Sequence, residues 1–375
     1  MTNVIRRLIC VCLLLTACGG TGTIALSHPP GLHRYEYVFP DRQVDVYDLD
    51  HGFRLVARRR LPSAHSLRGV AVNPGTRRLY LSVGGNGGAS GNGAVVAYSL
   101  DTFRVVWRRE FPTGTDGLAV TPDGSTLYVP EGEKTMDDIW YVVDASNGRI
   151  RTEIHAGPGP HNTIVSPDGR TVYLGPRNSR YLFVASTRTN HIVRKVGPLL
   201  PGVRPFTVDL RRQLAYTTAT GHLGFQVSSL VTGRVLDTVR VRGFPGGHSL
   251  GTPSHGITIT PDGRRVFVID VPSSYVHAYA VGIGSPRHLA DIRLDHSLAG
   301  KEHPCGGDCG RAGWLQASLD GRYVFVGDDG DVIDARTLAV VAFLPALANS
   351  RYQFELDWRG NRPVATSTRS SVAGY

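Results

Sequence analysis

Apolar and polar residues alternate in short runs that end at turn residues, a pattern typical of half-buried β-strands. One phrase recurs: an apolar strand, a Pro-Asp-Gly turn, and a second strand that ends in Tyr or Phe flanked by Val or Leu. An example is "NTIVSPDGRTVYLG" from Asn162. In this turn proline presets φ, aspartate tolerates the third position, and glycine accepts the positive φ that returns the chain. The phrase therefore predicts one inner β-hairpin in each repeat.

The proline position of the phrase occurs seven times, spaced 39 to 58 residues apart, at Pro74, Pro122, Pro167, Leu210, Pro261, Leu319 and Trp358. This spacing is close to the roughly 40–50 residues of a four-stranded propeller blade. Further strand pairs lie between the hairpins. One pair, from Val44, precedes the first hairpin, and none follows the last hairpin near residues 352–367. We therefore predict an all-β fold, a seven-bladed β-propeller of four-stranded blades. N-terminal strands would complete the C-terminal blade and remove the free sheet edges.

The turn followed by Leu-Tyr-Val or Val-Phe-Val resembles the YVTN-type β-propeller family, which contains secreted and surface proteins of bacteria and archaea. The likeness covers about residues 33–367, the single propeller domain, and leaves residues 368–375 as a C-terminal tail. The Tyr-Val-Thr-Asn tetrapeptide is not intact, since one copy reads Tyr128-Val129-Pro130-Glu131. The resemblance implies the fold. It implies no single activity, because propellers of this architecture include surface-layer proteins and lactonase-like hydrolases.

The N-terminus predicts export. Arg6 and Arg7 precede a short apolar run, which is typical of a signal peptide over residues 1–17. "LTAC", ending at Cys18, resembles the lipobox of bacterial lipoproteins, so Cys18 is the predicted lipidation site and residues 18–32 a tether. An ordinary signal peptide is the alternative. We thus expect an exported lipoprotein anchored in a cell-envelope membrane, on its periplasmic or extracellular face.

Two cysteines remain in the mature chain, Cys305 and Cys309, and outside the cytoplasm they predict a disulfide. The alternative is a zinc site with His303, which lacks a convincing further ligand. Both cysteines lie in the longest insertion, residues 295–310, which is either a lid over the channel or an inert loop. The nearby "GDDGDVID" lacks the distal glutamate of a calcium loop, so we expect a solvated turn.

The charge pattern points to small or acidic partners and not to nucleic acid. The formal net charge is +10, but the arginines are scattered and no nucleic-acid motif accompanies them. We expect an anionic small molecule or envelope component as ligand, a monomer, and contact with the membrane through the lipid anchor. Walker, dinucleotide-binding and nucleophile-elbow motifs are absent from the sequence, so we assign neither a cofactor nor a metal.

Candidate binding residues follow from the repeat, because propellers place the start of each innermost strand around the channel mouth. Six residues before each proline position stand Arg68, Asp116, His161, Arg204, His255, Gly313 and Tyr352. The arginines suggest a net-positive cup for an anion, and the histidines suggest hydrogen-bond partners, metal ligands or an acid–base pair. The alternative is that channel-facing positions are polar in any propeller.

Two functions remain from the sequence. The favoured one is a binding or scaffold module with a ligand at the channel mouth. The other is a lactonase- or lyase-like enzyme, in which the channel histidines transfer protons and Arg68 or Arg204 stabilises an anionic intermediate. No catalytic residue can be assigned from the sequence.

Overall fold

A computed structural model describes residues 31–245, 251–307, 309–368 and 370–374 of the chain. The predicted signal peptide, Cys18 and nearly all of the predicted tether lie outside the described residues. Within them the chain forms thirty β-strands, here β1 to β30, and two 3-10 helices at Gly85–Gly88 and Leu347–Asn349. No helix in these ranges has the length and apolar character that crossing a bilayer requires.

The strands form seven sheets arranged as the blades of a propeller, which confirms the predicted fold class. The chain opens with β1 (Leu32–Val38), β2 (Gln43–Asp48) and β3 (Arg54–Arg60). Three complete blades follow, each numbered from the channel outwards: β4 (Leu67–Asn73), β5 (Arg78–Gly84), β6 (Gly93–Ser99) and β7 (Val105–Phe111); β8 (Ala119–Val120), β9 (Thr126–Pro130), β10 (Ile139–Asp144) and β11 (Ile150–His155); β12 (Asn162–Val165), β13 (Thr171–Gly175), β14 (Leu182–Ser186) and β15 (His191–Val196).

The next three blades have the same order from the channel outwards: β16 (Val203–Asp209), β17 (Leu214–Ala219), β18 (Gly224–Ser229) and β19 (Val235–Arg240); β20 (Ile257–Ile259), β21 (Arg265–Asp270), β22 (Tyr275–Ala280) and β23 (Arg287–Arg293); β24 (Trp314–Ala317), β25 (Tyr323–Gly327), β26 (Asp331–Asp334) and β27 (Ala339–Phe343). The chain ends with β28 (Gln353–Arg359), β29 (Arg362–Thr366) and β30 (Val372–Ala373). Adjacent strands within each blade are antiparallel.

The recurring turn has the conformation that its sequence predicts. Gly124, Gly169, Gly263 and Gly321 all have a φ of 70°, the left-handed region that glycine occupies without strain. In one copy the Gly169 amide donates to the Ser166 carbonyl over 2.8 Å, and Asp168 accepts from the Arg170 amide over 3.0 Å. The turn residues of the repeated phrase therefore adopt the backbone conformation that their local φ preferences favour.

The ring closes as predicted in outline, but the prediction of how it closes was wrong in one respect. We expected a C-terminal inner hairpin backed by an N-terminal pair from Val44. Instead β1 pairs with β28, and the closing blade runs β28, β1, β2 and β3. The other half of the hairpin, β29, pairs with β28 from the channel side as a fifth strand. The N-terminus thus supplies three strands of this blade, because β1 displaces the expected partner of β28.

The segment after β29 lies inside the channel. Its strand β30 pairs in parallel with β16, and the Thr207 and Thr258 hydroxyls donate to the carbonyls of Ser371 and Ser370 over 2.8 and 3.0 Å. The Ala317 amide donates to the Ser371 hydroxyl over 2.9 Å. The segment therefore joins the innermost strands of three blades. A cavity of about 340 Å³ remains beside it, between the mid-channel and the Pro-Asp-Gly turns.

The hydrophobic core lies between neighbouring blades. One cluster, for example, joins Tyr80 and Val95 of one blade to Leu127, Val129 and Tyr141 of the next. Innermost strands are buried on both faces, as in β12 and β24, whereas the outermost strand β7 is mostly exposed. Because every blade packs against its two neighbours, the channel mouth is held on a rigid ring.

Candidate functional site

The six candidate residues line one cavity of about 220 Å³ at the channel mouth. They come from six different blades, where the innermost strands begin, and all are buried: Arg68, Asp116, His161, Arg204, His255 and Tyr352. Counting back from the turn therefore found residues that the fold brings together. At the seventh counted position, Gly313, the backbone carbonyl oxygen lies 3.2 Å from Nδ1 of His255.

Glu133 is the electrostatic centre of the cavity, and the sequence did not point to it. It follows β9 in the loop that leads to β10. Its carboxylate lies 2.9 Å from the Arg68 guanidinium and 2.8 Å from that of Arg177. Burial alone would raise the pKa of Glu133, but His161 and the surrounding arginines hold it well below its ordinary value. Glu133 is therefore ionised at any pH near neutrality.

Asp116 supports the same pair from the start of its blade. One oxygen, Oδ2, lies 3.4 Å from Arg68 and 3.2 Å from Nδ1 of His161. Burial works against the charge, yet His161 and Arg68 keep the pKa of Asp116 below its ordinary value. Conversely, burial would lower the pKa of Arg68, and the carboxylates of Asp116 and Glu133 raise it above its ordinary value. The Arg68 guanidinium and the carboxylates therefore stabilise each other's charged forms.

His161 offers an unused nitrogen to the cavity. The residue is 5% exposed, and its Nδ1 is the nitrogen near Asp116 and, at 3.9 Å, near Glu133. Its Nε2 is buried and has no hydrogen-bond partner among the described residues. A buried polar atom without a partner is costly, so a ligand or water at this position would be stabilising.

His255 is held as a neutral imidazole. Its Nδ1 lies 3.2 Å from the Gly313 carbonyl oxygen. A carbonyl only accepts, so Nδ1 carries the proton and Nε2 keeps its lone pair. Burial, followed by the charge of Arg351, lowers the pKa of His255 well below its ordinary value. His255 is therefore a hydrogen-bond acceptor or proton acceptor at neutral pH.

Arg204 has the least compensated charge of the cavity. Its Nε donates to the Thr220 hydroxyl over 2.9 Å, but its nearest carboxylate oxygen, on Glu133, is 3.7 Å away. Burial and then the charge of Arg177 lower the pKa of Arg204 to about 10, against the opposing effect of Glu133. An additional anion near Arg204 would therefore be stabilised.

Arg351 occupies the opposite wall and also escaped the sequence prediction, which identified the next residue, Tyr352. Its guanidinium pairs with Glu302 and lies 3.6 Å from Asp328. Burial raises the pKa of Glu302 to about 7, although Arg351 acts to lower it. Glu302 belongs to the long insertion, so its ion pair with Arg351 holds the insertion against the cavity.

The insertion also reaches the cavity through its cysteines, which are joined as a disulfide in the structure. The Arg68 guanidinium donates to the sulfurs of Cys305 and Cys309 over 3.1 and 2.9 Å. Cys309 and Gly310 line the cavity. The sequence left open a lid over the channel or an inert loop; the insertion contacts Arg68 and lines part of the cavity, so it is not an inert surface loop.

The charges around the cavity favour an anion over a cation. Five cationic side chains line it, Arg68, Lys134, Arg177, Arg204 and Arg351, against the two carboxylates of Asp116 and Glu133. The ligand atoms of Asp116, Glu133 and His161 do lie within 4.8 Å of one another, as a metal would need. However, the Arg68 guanidinium already lies against both carboxylates, and a metal ion would have to displace it.

Comparison with known proteins places the chain in a fold class only. No protein-family model matches the sequence, and no curated protein matches it. Solved structures do match. The periplasmic gluconolactonase PpgL of Pseudomonas aeruginosa is 16% identical with a TM-score of 0.60, over 90% of this chain and 98% of that one.

Two further structures share the fold. The dihydro-heme d1 dehydrogenase NirN, solved in complex with DHE, is 16% identical with a TM-score of 0.58, over 90% of this chain and 75% of that one. Kuenenia stuttgartiensis hydrazine synthase is 16% identical with a TM-score of 0.55, over 80% of this chain and 94% of that one. At this identity the likeness shows the fold: the chain is a seven-bladed β-propeller with a polar cavity at its channel mouth.

Proposed function

We propose that the channel-mouth cavity binds a small anionic molecule that carries a carboxylate, and that the protein is a binding module of the cell envelope. The observation that carries this proposal is Arg204, a buried guanidinium whose nearest carboxylate is 3.7 Å away and whose neighbour Arg177 repels it. A carboxylate accepts two parallel hydrogen bonds from a guanidinium, so it fits this position better than a spherical ion.

The histidines complete the recognition. Nε2 of His255 carries a lone pair, which can accept a hydrogen bond from a ligand hydroxyl. Nε2 of His161 has no hydrogen-bond partner among the described residues. A hydroxy acid presents both a carboxylate for Arg204 and hydroxyls for the two imidazoles. We therefore propose small hydroxy acids as the ligand class.

The location in the cell also belongs to this proposal. The predicted signal peptide and the lipobox ending at Cys18 lie outside the described residues, and support export and lipid anchoring through their sequence alone. A Cys18→Ala variant should appear in the soluble envelope fraction. Membrane retention of that variant would contradict lipid anchoring and leave the binding proposal unaffected.

The binding test is thermal unfolding with a panel of small hydroxy acids, keto acids and inorganic phosphate, at constant ionic strength. A ligand at 100 times its Kd adds about 2.7 kcal/mol to the free energy of unfolding. We expect this gain in the wild type and in Arg194→Gln, an exposed arginine of β15. Arg204→Gln should lose it. Equal stabilisation of Arg204→Gln, or no anion that stabilises the wild type, would refute the proposal.

A second candidate function follows from His255, a neutral imidazole among arginines. Such a group can remove a proton from a water molecule that attacks a lactone carbonyl, while an arginine stabilises the oxyanion. The ring C–O bond then breaks, the leaving oxygen takes a proton, and the product is a hydroxy acid, the same class of anion. The structural neighbour PpgL is a gluconolactonase, which supports this candidate by fold alone.

The two candidates separate experimentally. If the protein is a lactonase, it should hydrolyse sugar lactones faster than the uncatalysed rate, measured as acid release at constant pH. His255→Asn should then lose at least about 100-fold in kcat and keep part of its stabilisation by hydroxy acids, because Arg204 still binds the carboxylate. A wild type that binds hydroxy acids without accelerating lactone hydrolysis would leave the binding module as the function.

A further inference from the structure

The turn between β25 and β26 is buried, contrary to the solvated turn expected for "GDDGDVID". Asp328, Asp329 and Asp331 are each no more than 1% exposed. Asp328 faces Arg351 and accepts from the Gly313 amide over 3.2 Å. The other two face away from that contact, towards the start of the long insertion. The expectation was wrong because it considered only the residues of the turn, whereas residues of the insertion cover this turn in the structure.

Each of these two carboxylates has one oxygen fixed by the backbone and one left bare. The Asp295 amide donates to Oδ2 of Asp331 over 2.9 Å, and the Asp331 amide donates to Oδ1 of Asp329 over 3.0 Å. The remaining atoms, Oδ2 of Asp329 and Oδ1 of Asp331, are buried without a hydrogen-bond partner among the described residues. The fixed oxygens orient the bare ones, as outer-shell hydrogen bonds do in metal sites.

An imidazole completes the group. Nδ1 of His296 lies 4.0 Å from Oδ2 of Asp329 and 3.8 Å from Oδ1 of Asp331, the two bare oxygens. Its ring stacks on Phe343 with centroids 4.6 Å apart, which fixes its orientation. The His296 side chain is 47% exposed, so the group is open to water on one side and closed on the other.

Two bare carboxylate oxygens side by side in a buried place need a cation or a proton between them. No arginine or lysine forms an ion pair with Asp329 or Asp331 among the described residues. This differs from the channel cavity, where the Arg68 guanidinium forms ion pairs with Asp116 and Glu133.

We propose that Asp329, Asp331 and His296 form a divalent-metal site of the zinc type, with water at the open coordination position. An imidazole with two carboxylates suits zinc better than calcium or magnesium, which prefer all-oxygen ligand sets. The three ligand atoms lie within 4.8 Å of one another. Tetrahedral coordination at about 2.0–2.1 Å requires ligand separations of about 3.4 Å, so a pair of ligand atoms has to approach by at most about 1.4 Å.

The site has a structural role, because it joins two parts of the chain. His296 stands at the root of the insertion, residues 295–310, whereas Asp329 and Asp331 belong to the body of the blade. The same insertion carries Glu302, which pairs with Arg351 of the channel cavity, and Cys309, which lines that cavity. Bound metal would therefore fasten the insertion at a second point, distinct from its contacts with Arg68 and Arg351.

Zinc titration of the chelator-treated, tag-free protein by calorimetry tests the site. We expect one zinc ion per chain, and at least a 10-fold weaker affinity in His296→Ala and in Asp331→Asn. His288→Ala is the matched control, because His277, His288 and Asp291 form another cluster of metal-ligating side chains. His288→Ala should bind as the wild type does. No zinc binding by the wild type, or a loss in His288→Ala without one in His296→Ala, overturns the proposal.

Limited trypsin cleavage gives a readout that is independent of affinity. Lys301 lies in the insertion and is exposed. Zinc should slow cleavage after Lys301 in the wild type and have no effect on this site in His296→Ala, whose half-exposed side chain can be removed without disturbing the core. Equal protection by zinc in both proteins would show that the ion binds elsewhere and would also overturn the proposal.

Discussion

Glu133 shows how much a single residue can determine at this channel mouth. It contacts Arg68 and Arg177 directly and lies 3.7 Å from Arg204, so one carboxylate neutralises part of three guanidinium charges. Without it the buried arginines would repel one another in a region of low dielectric constant. The cavity therefore depends on Glu133 for its stability and on Arg204 for its preference for anions.

Glu133→Gln should destabilise the protein by about 3 kcal/mol at pH 7, since breaking a buried ion pair from one side leaves uncompensated charge. Chemical denaturation measures the change. Glu110→Gln is the control, because Glu110 is exposed and, among the described residues, forms an ion pair only with Arg108. It should change the free energy of unfolding by less than about 0.5 kcal/mol.

The pH dependence of the same variant has a defined sign. The pKa of Glu133 is lowered in the folded protein, so its stabilisation is present above the unfolded pKa of about 4.3 and is lost as the pH falls through the folded value. The difference between wild type and Glu133→Gln should therefore shrink below about pH 4.3. A difference that grew on acidification would contradict the ion-pair role of Glu133.

At the scale of structural elements, the closing blade contains a conflict. β1 and β28 place Glu36 opposite Glu355, and both are fully buried. Burial, and then the charge of Glu355, raise the pKa of Glu36 well above its ordinary value. The two strands that close the ring thus place two carboxyl groups next to each other. One oxygen of Glu36 has no hydrogen-bond partner among the described residues.

Glu36→Gln should stabilise the protein, and more so at pH 8 than at pH 5. When folding raises the pKa of a carboxyl group, the protein loses stability as the pH rises from the unfolded pKa, about 4.3 for glutamate, towards the folded pKa. The amide has no such dependence. Urea unfolding at both pH values measures the change, with exposed Glu153→Gln of β11 as control. A pH-independent effect would rule out titration of Glu36.

The same element shows what a repeat pattern can and cannot predict. The strand period and the Pro-Asp-Gly turns identify β28, because its sequence resembles the first strand of the other hairpins. They also suggested that β29 pairs as the second strand. Which strand pairs with β28 is a competition between β29, nearby in sequence, and β1, at the other end of the chain, and local pattern does not decide it.

At the scale of the whole molecule, the C-terminal segment links three consecutive blades that are all distant from it in sequence. Val372 is 1% exposed and lies in β30, which pairs with β16, while Ser370 and Ser371 bond to Thr258 and Thr207. The end of the chain therefore contributes to the stability of the ring from within, in addition to the closure supplied by β1.

Val372→Asp should lower the free energy of unfolding by at least about 3 kcal/mol, because it places an unpaired carboxylate in an apolar contact. Val231→Asp is the control at a valine that is 59% exposed. It should be nearly neutral. The midpoint of thermal unfolding, followed by circular dichroism, distinguishes them. Equal midpoints for the two variants would mean that the channel segment is not part of the cooperative fold.

The sequence by itself determined the seven-fold repeat, the conformation of its turns, the all-β class and the ring of six residues at the channel mouth. These depend on local φ preferences and on a fixed distance along a strand, so they repeat with the sequence. Only the tertiary structure decided that Glu133 and Arg351 join that ring, that the C-terminal segment enters the channel, and that Asp329 and Asp331 are buried beside His296. Each of these depends on a contact between segments that are distant in sequence and outside the repeat. The free energy of these contacts comes from burial and from charge interactions between segments that the fold brings together. A local repeat pattern does not contain that information.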